Sequence, residues 1–183
     1  MSHAMMPSPL GEMMAVFDAE ALLGLYFVGQ KYPPSPAAIG PRDASHPIAR
    51  ATAAHLVAYF DGEPAEFDGP IRFVGTPFQV AVWTALRAIA RGHTVSYGEL
   101  ARRVGAVTAV RAVGAAVGRN PVSLIVPCHR VVGGDGSLTG YAGGLPRKVR
   151  LLQIEGVLGE ADRRVGRRDP DGRQRPLYFG DGA

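Results

Sequence analysis

TPFQVAVWTALRAIARGHTVSYGELARRVGAVTAVRAVGAAVGRN, residues 76–120, is the stretch that decides the fold. Thr76 offers an N-cap hydroxyl, Pro77 suits the first helical turn, and Gln79 stands where a capping box requires an amide or carboxylate. Phe78, Val82, Leu86 and Ile89 then repeat on one helical face until Gly92 breaks the run. Ser96 with Glu99 repeats the capping-box pattern for a second helix that ends near Val104 and Gly105. Thr108 is the expected cap of a third, which reaches Gly118. Two short helices joined by a Gly-containing turn of about four residues match a helix-turn-helix.

The third helix is mostly Ala, Val and Gly around Arg111. Small side chains let a helix approach another surface closely, and that surface can be a neighbouring element or a nucleic-acid groove. Charge bears on the choice. Residues 1–70 carry three basic and eight acidic groups, whereas residues 71–156 carry eleven basic and three acidic ones. A basic half beside an acidic half fits a polyanion-binding unit joined to one that does not touch the polyanion, although a solvated basic face has the same charge pattern.

Upstream, apolar runs from Glu12 to Asp18 and from Ala21 to Val28 read as a β-hairpin around Asp18-Ala19-Glu20. Lys31 to Pro47 holds five prolines and is loop chemistry, since Pro lacks the donor and fixes φ. Ile48 to Phe60 has helical spacing, stopped by Asp61-Gly62, and Glu66 to Val74 returns as a strand. The pattern therefore predicts a two-part α/β chain of α+β type. A small sheet-plus-helix unit covers 7–74, a helical unit covers 75–157, and 158–183 is a flexible tail with Arg163, Arg164, Arg167 and Arg168 among its charges. The first six residues read as an unstructured leader. With no secretory signal and no apolar run near the roughly 18 residues of a membrane span, a cytoplasmic chain without membrane contact is expected.

Cys128 is the only cysteine, so no internal disulfide is available and a free thiol in a reducing compartment is expected. VSLIV, residues 122–126, reads as a short buried strand or extended segment that delivers Pro127-Cys128-His129-Arg130. A thiolate is the nucleophilic form, so Cys128 needs a base or a positive environment to lower its free pKa of about 8.5. Adjacent side chains seldom bond one another, so His129 is expected to act through water or after a sharp turn. A lone Cys is more often a small, inert, buried thiol, and Cys-His in isolation is a weak motif.

Context changes that balance. IVPCHRVV (125–132), preceded by SYGELA (96–101) and RAVGAAVGRNP (111–121) and followed by GYAGGLPRKVRLLQIEG (140–156), resembles the O6-alkylguanine-DNA alkyltransferase, or methylated-DNA protein-cysteine methyltransferase, family. The likeness runs without gaps from about Thr76 to Gly156, and SPLG (8–11) and AYFDGEPAEFD (58–68) extend it weakly into the N-terminal part.

The resemblance implies a ribonuclease H-like N-terminal unit and a winged-helix-like C-terminal unit with a helix-turn-helix and an active-site loop. It makes Cys128 the alkyl acceptor, His129 a water-mediated base and Glu155 the residue that orients His129. Tyr97 would bond and help protonate the departing guanine, and Asn120 would hold the turns before the active-site segment. Tyr141, the backbone of Ala142, slim Gly143 and the carbonyl of Val131 would line the base pocket. Arg111 would fill the stack left by an extruded nucleotide, with Thr108, Ala112, Gly114, Ala115 and Arg119 beside it on double-stranded DNA, entered through the minor groove by a monomer. The implied reaction is a single, irreversible transfer from O6-alkylguanine, or O4-alkylthymine, to Cys128.

No cofactor is expected. The zinc site of some relatives needs Cys and His ligands, but a second Cys is lacking and His3, His46, His55, His93 and His129 show no ligand spacing, so no metal is expected either. Two other classes remain open from the residues alone. A non-catalytic lesion sensor would share the scaffold but lack the acceptor cysteine, and a cysteine hydrolase would require an oxyanion hole and have no use for a basic helix.

Overall fold

The computed structural model describes residues 1–64 and 66–159. Its first element overturns the expectation of an unstructured leader: Ser2–Met6 form strand β1, paired antiparallel with β2 (Met13–Phe17) from Ser2↔Phe17 to Met6↔Met13. The reason is alternation, because Ala4 and Met6 point into the core while their neighbours do not. The expected hairpin is present, with β3 (Leu22–Phe27) antiparallel to β2 and an irregularity at Val16/Phe17.

Helix α1 (Pro47–Phe60) covers this three-stranded sheet with Ile48, Ala49, Thr52, Leu56 and Tyr59. His46 accepts from the Ile48 amide at its start, and the chain turns away at Gly62 in the left-handed region, φ 88°. Residues 66–74 are not a strand. They touch β3 through one bridge, in which Leu22 N–H donates to Pro70 O (2.9 Å) and Arg72 N–H to Leu22 O (3.0 Å). Pro70 has no donor to continue the ladder.

Helix α2 (Pro77–Arg87) carries the full Thr76/Gln79 capping box that its sequence predicts. Val82, Leu86 and Ile89 are buried as expected, but Phe78 is 37% exposed. Trp83 takes that share of the buried face and donates from Nε1 to Ala116 O (2.9 Å). The two-residue strand β4 (Val95–Ser96) runs parallel to β5 (Val131–Val132) and leads into α3 (Tyr97–Arg103). Ser96 caps the Glu99 amide, yet the Glu99 carboxylate turns to Arg102 and Arg103 instead of closing the box, drawn by two charge-assisted bonds.

Helix α4 (Val110–Gly118) starts later than expected. Ala109 is its N-cap with no side-chain bond, because the Ala109 amide donates to Ala106 O (2.8 Å) and holds the turn one residue past Thr108. The connection between the two short helices therefore spans 104–109 rather than about four residues. Helix α5 (Leu145–Ile154) follows the last loop. One apolar cluster containing Phe27, Leu56, Leu86, Val113 and Leu151 crosses both parts, so they share a core. No described helix is long and apolar enough to cross a membrane. The expectation for the tail falls on 160–183, outside the described residues.

Candidate active site

The segment before Cys128, expected to be a short buried strand or extended, is buried but folds into a knot of turns. Leu124 sits at φ 73°, the Val126 amide donates to Val122 O (3.0 Å) and the Cys128 amide to Val126 O (2.8 Å). Asn120 pins the knot, accepting from the Val122 amide (3.1 Å) and donating from Nδ2 to Val126 O (2.7 Å). The same Nδ2 lies 3.1 Å from Cys128 Sγ. A left-handed Leu is unfavourable by about 1–3 kcal/mol, which these bonds offset while they aim the thiol.

Residues 128–130 form one turn of 3-10 helix, and this turn separates neighbours that cannot meet along an extended chain. Cys128 is 4% exposed, and burial pushes its thiol above the ordinary range, opposed by the Asn120 bond and the Lys148 charge. His129 is fully buried, and burial holds its ring below the usual histidine value despite Glu155. Its Nε2 lies 2.8 Å from Glu155 Oε1. A carboxylate can only accept, so the proton belongs on Nε2 and the lone pair on Nδ1. Nδ1 is buried with no hydrogen-bond partner among the described residues. The ring is thus a neutral base with a vacant acceptor.

Glu155 caps the end of α5 and is heavily bonded. Arg130 donates from Nε to Oε2 (2.8 Å) and from NH2 to Oε1 (2.9 Å), and NH1 reaches Ile89 O. Tyr59 donates to Oε1 (2.7 Å). Burial alone would raise the Glu155 carboxyl, but His129 and Arg130 hold it well below the usual carboxylate range.

The opposite wall is the 139–144 loop. Tyr141 stands edge-on to His129, ring centroids 6.5 Å apart, with burial keeping its phenol protonated. A Cβ on Gly143 would lie 2.7 Å from the Tyr141 ring and 3.2 Å from Phe27, so that position admits no side chain. Gly144, at φ 90°, starts α5. Ala142 gives its carbonyl to the Lys31 amide (2.9 Å). Val131 O is already engaged on one side by Lys148 Nζ (2.6 Å), which also donates to Thr139 O (2.8 Å). Lys148 is fully buried, and desolvation lowers its ammonium to about 8.

A family model described as 6-O-methylguanine DNA methyltransferase, DNA binding domain, matches residues 77–157. The methylated-DNA–protein-cysteine methyltransferase of Mycobacterium leprae is 46% identical over 150 residues, spanning 82% of this chain and 89% of that one. That of Haemophilus influenzae is 42% identical over 152 residues, 82% of this chain and 84% of that one. The chain belongs to the methylated-DNA–protein-cysteine methyltransferase family. The crystal structure of Mycobacterium tuberculosis OGT in complex with DNA superposes with a TM-score of 0.77 at 41% identity, over 85% of this chain and 92% of that one. The two-domain mixed α/β fold is thus the one seen in that methyltransferase.

The remaining site residues of this methyltransferase-family chain lie on α3, on α4 and at the two ends of α4, with Thr108 in the turn before it and Arg119 its C-cap. Thr108, Arg111, Ala112, Ala115 and Arg119 are all exposed and share one face, opposite buried Val113, Ala116 and Val117. Gly114 is turned aside: its Cβ position is 3.7 Å from the Tyr97 ring. Tyr97 therefore packs against α4, and its phenol is raised by burial and by the nearby Cys128.

Several participants carried no predicted role in the sequence. Tyr59 comes from the N-terminal part, and nothing local to it announces a partner 96 positions away. Arg130 was visible beside Cys-His without a role. Lys148 had a signal, since it shares the apolar α5 stripe with Leu152 and Glu155 at helical spacing. Arg147 explains the SPLG likeness: it donates to Leu10 O (2.8 Å) and Gly143 O (2.9 Å), tying that turn to the active-site loop. Among the described residues, no group of three His, Cys, Asp or Glu could hold a metal ion.

Proposed function

We propose that this protein repairs DNA by direct reversal, moving an alkyl group from O6 of guanine, or O4 of thymine, onto Cys128. One observation carries the reading. The buried thiol is held by Asn120 next to a histidine whose Nε2 is tied to Glu155 and whose Nδ1 is vacant. Nδ1 takes the thiol proton through one water, and the thiolate attacks the alkyl carbon as the carbon–O6 bond breaks. The departing base recovers a proton from Tyr97, whose raised phenol is protonated at neutral pH. The His129 proton then returns through solvent to the Tyr97 phenolate, which leaves both groups neutral. Buried Lys148 favours the thiolate electrostatically, and Tyr141 with the Val131 carbonyl is the proposed seat of the base.

A stacked base cannot reach Cys128, so the nucleotide is extruded, and Arg111 replaces it in the stack. The slim exposed face of α4 fits the minor groove, where Ala112 and Ala115 let the backbone come close. The two units are read as ribonuclease H-like and winged-helix-like, and the protein as a monomer, because one chain holds the whole site. A thioether has no leaving group under mild conditions, so each molecule acts once.

Mass spectrometry after incubation with methylated duplex tests the assignment. A single added methyl on the Cys128 peptide is expected, and none on a Cys128→Ser variant that still binds. A methyl on any other residue would displace Cys128 from the centre of the mechanism.

A further inference from the structure

Tyr32 is a non-glycine residue in the left-handed region, φ 61°, and its side chain remains 41% exposed. A residue with a Cβ adopts that conformation only where its surroundings fix it. They do so here. Buried Gln30 accepts from the Phe27 amide (2.9 Å) and from the Ser123 hydroxyl (3.2 Å), and the Lys31 amide donates to Ala142 O (2.9 Å) in the active-site loop. The turn is therefore locked to the mouth of the site.

Two cations lie close to the ring. Lys31 Nζ stands 5.0 Å from its centroid and the Arg119 guanidinium 4.9 Å. A Cβ at Gly118 would be 3.9 Å from the ring, an ordinary van der Waals distance, so the ring lies against the end of α4. Arg119 closes the exposed α4 face that begins at Thr108 and Arg111. Lys31 is one of only three basic residues in the acidic first 70, and the fold places it here. A solvent-facing aromatic gains little from burial, and two like charges beside it repel. An aromatic face flanked by cations is the combination that holds a nucleotide with its phosphates.

We propose that Tyr32, Lys31 and Arg119 form a sugar–phosphate clamp that extends the DNA interface of α4 onto the N-terminal part. The ring packs on a nucleotide next to the extruded one, and the two cations meet its phosphates. This inference rests on the DNA-repair reading above.

The test uses the full chain with Cys128→Ser, which binds without reacting, and measures the affinity of a short unmodified duplex by anisotropy between about 50 and 200 mM salt. Tyr32→Gly accepts φ 61° without strain, so its effect reports the ring alone. It should weaken binding about 5- to 30-fold with little change in the salt slope, whereas Tyr32→Phe stays within about twofold. Arg119→Ala should lower the log–log salt slope by about one. Melting temperatures within a few degrees of the parent establish that each variant is folded. If Tyr32→Gly binds as tightly as the parent, the ring only steadies Arg119 and the clamp is wrong. If the Cys128→Ser parent itself fails to bind duplex, the repair reading fails first.

Discussion

Tyr59 and Glu155, 96 positions apart, are joined by a hydrogen bond of 2.7 Å that carries the N-terminal helix α1 into the catalytic network. Glu155 thereby accepts from three side chains, Tyr59, His129 and Arg130, in a buried setting. Glu155→Gln keeps the volume and strands the Arg130 charge. It should destabilise the fold by about 3–5 kcal/mol in urea unfolding and slow transfer to Cys128, because the amide no longer fixes the proton on Nε2. A loss under about 1 kcal/mol would mean the network is not held by the carboxylate charge.

The neutral His129 base sets the acid limit of the reaction. Its ring is held below the ordinary value of about 6.5, so the charged form appears only at lower pH in the folded protein. The rate of reaction with free O6-benzylguanine should stay level as pH falls to about 6.5 and decline only below it. The same shift bears on stability: the unfolded chain takes up this proton near 6.5 and the folded one does not, so stability falls as pH drops through that value. An acid midpoint above 7 would identify a different base.

Gly143 has no room for a methyl group, with Tyr141 and Phe27 at 2.7 and 3.2 Å from its Cβ position. Gly143→Ala should push Tyr141 from its edge-on contact with His129, costing about 1–3 kcal/mol in thermal unfolding and slowing benzyl transfer. Parental rate and melting temperature together would show that the loop yields freely and does not shape the pocket.

Arg111 is exposed at the start of the α4 face and lies outside the buried network. Arg111→Ala should slow repair of methylated duplex about tenfold more than reaction with free benzylguanine, which needs no extrusion. Equal slowing of both would make Arg111 structural.

Much of this is legible in the sequence. The hairpin, α1, the α2 capping box and the exposed face of α4 follow from periodicity and capping chemistry, which act within a few residues. What stayed hidden depends on distant partners. Ser2–Met6 become a strand only because Met13–Phe17 offers an edge, and 122–126 fold into turns because Asn120 bonds their carbonyls. Cys128, His129 and Glu155 were marked by motif. Tyr59 and Arg130 were not, since buried polar contacts between remote segments leave no periodic trace, and Lys148 was marked only by its place on the apolar α5 stripe.

Titration of excess methylated duplex against a known amount of protein tests transfer to Cys128 most directly. Nothing in the site cleaves a thioether: the one base, His129, is fully buried, and its Nε2 is tied to the Glu155 carboxylate, which Tyr59 also holds. The expected result is a burst equal to the concentration of active Cys128, followed by no further repair. Continued turnover after that burst would contradict a self-alkylating protein and point instead to a cysteine hydrolase.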